Sequence, residues 1–62
     1  MTEPGARVRA LSAPHRGGIG KFVRAVEAPQ LLESGIRAWG AEIEFGAGTR
    51  DFVAWENLEL LD

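Results

Sequence analysis

The chain reads as an all-β protein, a small five-stranded barrel, and three features of the sequence predict this. Glycine and proline cut the 62 residues into pieces too short for a sustained helical period. Residues 39–45 alternate, with Trp39, Ala41, Ile43 and Phe45 on one side and Gly40, Glu42 and Glu44 on the other. Gly46-Ala47-Gly48 then offers a tight turn back. Strands of this number and length, with one long loop between the second and third, fit a small, strongly bent barrel. Closure hides the edges that a flat sheet of this size would expose.

Residues 1–5 form an N-terminal tail, and residues 6–62 form a single barrel. The first strand, Ala6 to Leu11, points Val8 and Ala10 inward and Arg7 and Arg9 outward. A loop follows from Ser12 to Gly18, marked by Pro14 and the Gly17-Gly18 pair. The second strand, Ile19 to Val26, has apolar residues on both parities, which predicts a bend or bulge. Glu27 to Arg37 is the long connection. Pro29 to Gly35 can make one helical turn there, stopped by Gly35 in the left-handed conformation.

Folding the third strand back about Ala47 tests the hairpin. Glu44 falls opposite Arg50, Ala41 opposite Val53, and Trp39 opposite Trp55. Asp51 is the misfit, because it falls opposite inward Ile43 and needs a bulge or a hydrogen-bonding role. Gly48 suits a positive φ at the turn. Trp55-Glu56-Asn57 reads as a short turn, and Leu58 to Leu61 as the closing strand.

So short a chain buries only about 60% of the surface its unfolded form exposes. With no cysteine it has no disulfide to help, and no Cys/His cluster offers a structural zinc. Almost every apolar residue is therefore needed for the core, which leaves little room for an enclosed active site. No cofactor or metal is expected. No apolar run reaches the roughly 18 residues of a membrane span, and the N-terminal residues lack signal-peptide character. A cytoplasmic setting is expected.

The net charge is −2, unevenly placed. Residues 1–24 hold Arg7, Arg9, Arg16, Lys21 and Arg24 against Glu3 alone, a net +4. Residues 25–62 hold Arg37 and Arg50 against eight carboxylates, a net −6. A dedicated nucleic-acid binder normally carries an overall basic balance. Opposite poles suit cross-strand ion pairs on solvated faces, or a charged protein partner.

The layout resembles the Src-homology-3-like barrels of the Tudor and KOW type. The residues that carry the resemblance are Pro4 to Arg9, Gly17-Gly18-Ile19-Gly20-Lys21-Phe22-Val23, Glu42-Ile43-Glu44-Phe45, and the Asn57-Leu58-Glu59 closure. Two settings of that fold are similar. One is the accessory barrel of bacterial Swi/Snf-type helicases. The other is the RNA-polymerase-interacting module of CarD-like regulators and transcription-repair coupling factors, whose His-Gly-Ile-Gly step is two residues longer here, as His15-Arg16-Gly17-Gly18-Ile19-Gly20. The resemblance implies a docking module accessory to DNA- or RNA-handling machinery, with RNA polymerase or a helicase assembly as partner. It rests on glycine and core positions, which report a fold more than a job.

No residue set demands catalysis. Gly17 to Lys21 lacks phosphate-loop spacing and a following helix. His15, the one histidine, has only Ser12 near it in sequence, so a loop role is expected. Glu42 and Glu44 share a strand's outer parity and point into water. Trp39 and Trp55 fall on the inner parity and read as core, with an aromatic cage as the alternative.

The candidate partner-binding residues form two groups. Phe22, Arg24, Arg50 and Phe52 share an outer surface, where an aromatic flanked by arginines suits a hot spot, unless strand bending turns the rings inward. Leu31, Leu32 and Ile36 in the long connection either cap the barrel's open end or form an exposed apolar patch. Direct nucleic-acid binding through Arg7, Arg9, Arg16, Lys21 and Arg24 is the alternative function.

Overall fold

The computed structural model describes residues 4–13, 15–46 and 48–61. Its elements are β1 (Arg7–Ala10), β2 (Ile19–Ala25), β3 (Gln30–Leu31), β4 (Arg37–Ala38), β5 (Gly40–Phe45), β6 (Thr49–Ala54), a 3₁₀ turn (Trp55–Asn57) and β7 (Leu58–Leu60). Five strands form one antiparallel sheet in the order β6-β5-β2-β1-β7, and β3 and β4 form a separate ribbon. The domain is all-β. Among the described residues, no helix is long and apolar enough to cross a membrane.

The β5–β6 hairpin takes the register its sequence dictates. Ala41 pairs with Val53, Glu44 with Arg50, and Ile43 with Asp51. Gly46 and Gly48 flank the turn with φ of 63° and 80°, a region that costs glycine nothing. The apex, Ala47, lies outside the described residues, as does Pro14 in the β1–β2 loop.

The expected irregularity in β2 is a register shift between Phe22 and Arg24. It has a direct consequence for faces. Without a bulge, residues 22 and 24 would share a side. With one, Phe22 pairs with inward Ile43 while Arg24 pairs with outward Glu42. The core is Val8, Ala10, Phe22, Ala41, Ile43, Phe45 and Val53, with Ala6 and Leu58 packed against it. Ile43 is fully buried, and burying such a side chain contributes about 1.5–3 kcal/mol.

Three expectations are corrected. Phe22 belongs to the core at 5% exposure and is no surface contact. The tryptophans do meet along the backbone, where the Trp55 N–H donates to the Trp39 carbonyl at 3.1 Å. Their side chains, however, are 55% (Trp39) and 44% (Trp55) exposed. The last β2–β5 rung is Ala25–Ala41, so Trp39 lies beyond the stretch of sheet in which β2 and β5 pair. Trp55 instead stacks on Phe22, with centroids 6.1 Å apart.

The third correction concerns the long connection, which folds as the β3–β4 ribbon and not as a helical turn. Leu32 N–H donates to Ile36 O, and Gly35 N–H to Leu32 O, with Gly35 at φ 86°. The expected tail over residues 1–5 lies outside the described residues for 1–3. Gly5 is tied to the sheet through its N–H on Phe22 O.

Charges pair across the solvated face. Arg9 meets Glu59 at 3.2 Å, Arg24 meets Glu42 at 3.1 Å, and Arg50 meets Glu44 at 3.5 Å. The basic N-terminal half and the acidic C-terminal half are thus laid against one another.

Candidate functional site

A groove of about 530 Å³ opens beside β6. Three separate stretches of sequence build it: Ser12, Ala13 and His15 from the β1–β2 loop, residues 31–34 from the ribbon, and residues 51–54 with Asn57 from β6 and the 3₁₀ turn. Its apolar wall joins Leu31 and Leu32 to Phe52, Val53 and Ala54. The two groups of candidate contacts in the sequence therefore fall partly on one surface. Leu31 is 63% exposed and Phe52 is half-buried.

Phe52 owes its position to a glycine. A Cβ on Gly40 would overlap the Val53 carbonyl oxygen and would come within 2.8 Å of the Phe52 ring. The bare backbone of Gly40 lets β6 and the Phe52 ring close over it.

His15 fixes the opposite wall. Its ring lies parallel to Phe45, with centroids 4.0 Å apart and 8° between planes. Its Nε2 donates to Asp51 Oδ2 at 2.8 Å. Asp51, the misfit of the hairpin, thus takes a hydrogen-bonding role and anchors the β1–β2 loop to β6. Sequence reasoning missed this pair because its members are 36 residues apart. The unexplained carboxylate opposite Ile43 was the available signal.

Asp51 orients His15, but among the described residues no hydroxyl, Ser12 included, hydrogen-bonds to the ring. Among them, no three metal-ligating side chains cluster either.

The remaining predicted residues lie elsewhere. Ile36 is 65% exposed but does not line the groove. Arg24 and Arg50 are engaged with Glu42 and Glu44 on the outer face. Of the alternative nucleic-acid set, Arg9 is paired with Glu59, and Lys21 stands opposite Glu44. Arg7 is also partnered, and Arg16 sits exposed in the β1–β2 loop. Arg9, Lys21 and Arg24 thus each stand beside a glutamate. Comparison of the chain with protein-family models, with curated proteins and with solved structures finds no match.

Proposed function

We propose that this domain is a non-catalytic docking module that receives a segment of another protein in the groove beside β6. The observation that carries the reading is the convergence of Leu31, Leu32 and Phe52 on one concave apolar surface. Grooves of this size, mostly apolar with a few polar groups, are the usual form of a binding site. The fold supports an Src-homology-3-like barrel of the Tudor or KOW type: β1 lies between β2 and β7, and a 3₁₀ turn precedes the closing strand. That likeness extends the reading to a module accessory to DNA- or RNA-handling machinery.

Direct nucleic-acid binding is the rival, and the ion pairing of Arg9 and Arg24 weighs against it. One pair of experiments tests the choice. Peptides selected from a displayed library should bind the protein and lose affinity for Leu31→Asp, a change at an exposed position whose retained fold circular dichroism should verify. A fluorescence titration with labelled DNA and RNA at two salt concentrations should show no salt-sensitive binding. Failure to select any Leu31-dependent peptide, together with salt-sensitive nucleic-acid binding, would reverse the assignment.

A further inference from the structure

Four consecutive residues of β6, Asp51 to Ala54, line the groove. Neighbouring side chains of a strand point to opposite faces. A depression that touches all four therefore runs along the strand's edge. β6 is an outer strand whose one partner in the sheet is β5.

The direction of its backbone groups follows from one bond. Trp55 N–H donates to Trp39 O, and bonded and non-bonded pairs alternate along an antiparallel ladder. In the β5–β6 register, Ala41–Val53 and Ile43–Asp51 are then bonded pairs. Arg50 and Phe52 therefore turn their N–H and C=O groups away from β5, toward the open edge. Among the described residues, neither backbone makes a hydrogen bond outside the sheet. Val53 and Ala54 are buried and form the floor, whereas Arg50 is exposed and Phe52 half-exposed. An unpaired edge of this kind is a template for another strand.

Charge narrows the occupant. The lining holds two carboxylates, Glu33 and Asp51, and one basic group, His15, which is already spent on Asp51. Asp51 keeps 50% of its side chain exposed, and its Oδ1 accepts from no described residue. Asp51 and Phe52 lie on opposite faces of β6, so a strand laid beside them meets a carboxylate on one side and an apolar ring on the other.

We infer that the groove takes an extended, basic segment of a partner protein, which adds to β6 at Arg50–Phe52 as a further strand. Its lysines or arginines face Asp51, and its alternate apolar side chains rest on Phe52 and Leu31. This rests on the docking reading and adds to it the backbone pairing and the partner's sequence pattern.

The test uses a capped seven-residue peptide of alternating lysine and valine. Bound at ten times its Kd, it should slow hydrogen exchange at the Arg50 and Phe52 amides by about tenfold. A glutamate–valine peptide should not bind. Of two lysine–valine peptides, N-methylated at every lysine or at every valine, one should lose binding, because its methyl groups occupy the pairing edge. Asp51→Asn, whose amide oxygen still accepts from His15, should weaken the lysine–valine peptide severalfold. Absence of lysine–valine binding, equal binding of both N-methylated forms, or protection elsewhere in the chain would overturn the inference. So would protection of the same amides by self-association without peptide, because a second copy would then occupy the edge. If library-selected peptides depend on Leu31 yet tolerate both methylations, docking stands and strand addition fails. If no peptide depends on Leu31, the docking reading itself fails.

Discussion

His15 lies flat against Phe45, ring on ring at 4.0 Å, and ties the β1–β2 loop to the interior through a residue of the far hairpin. Stacked rings contribute about 0.5–1.5 kcal/mol beyond their burial, and the exposed hydrogen bond to Asp51 adds about 0.5–1. His15→Ala should therefore cost about 1.5 kcal/mol, a fall in Tm of roughly 6–12 °C for a domain of this size. Asp51→Asn should cost less than about 1 kcal/mol, since it spares the stacking. Thermal unfolding by circular dichroism checks both. Equal losses in the two variants would show that the ring contact carries nothing.

Gly40→Ala should be the most damaging small substitution in the chain. The added methyl meets the Val53 carbonyl and the Ala54 Cα, which are backbone atoms with no rotamer to escape through. Overpacking of this kind costs about 1–3 kcal/mol, and the upper end applies here. A domain of this length has only about 3–9 kcal/mol in hand. Urea titration should show a large drop in midpoint, and a change below about 0.5 kcal/mol would mean that β5 and β6 are not so closely apposed.

The two tryptophans should behave differently. Trp39 stands more than half exposed with no ring stacked on it among the described residues, whereas Trp55 covers Phe22. Trp39→Ala should cost less than about 1 kcal/mol, and Trp55→Ala about 2. Both single-tryptophan forms should emit at red-shifted wavelengths and be readily quenched by acrylamide. A blue-shifted, protected Trp39 would contradict the placement.

Removing the surface ion pairs should matter little. Arg9→Ala and Arg24→Ala leave exposed carboxylates in water, and each should change stability by less than about 1 kcal/mol. Ile43→Val, one methylene lost from a fully buried site, should cost about 1 kcal/mol by comparison. Equilibrium unfolding of the three variants ranks them, and an arginine variant worse than Ile43→Val would mean that charge rather than packing dominates.

The β5–β6 hairpin was fully legible in the sequence, because a two-glycine turn and strict alternation leave one register that buries Ala41, Ile43 and Val53 together. Face assignments failed where alternation stops being a guide. Phe22 was misplaced because the bulge that follows it resets parity, and the sequence signals a bulge without its position. Trp39 and Trp55 were misplaced because parity says which way a side chain points but not whether another strand lies there. The groove was half legible: Phe52 and Leu31 stood out separately. Their meeting depends on how a ribbon of two-residue strands folds back, and no local pattern encodes that. The His15–Asp51 contact lay beyond any local rule, joining residues that only the completed sheet brings near.

The pairing of Val8 with Leu60 has a consequence for how the protein is made. β1 sits between β2 and β7, so one of its two neighbours is translated only after all the other strands of the sheet. Until residues 58–60 emerge, one side of β1 has unclaimed backbone groups and the leucine that should lie over Ala10 is missing. Contacts of such long sequence separation slow folding. The five-stranded sheet therefore stays unfinished at β1 until β7 is available to pair with it.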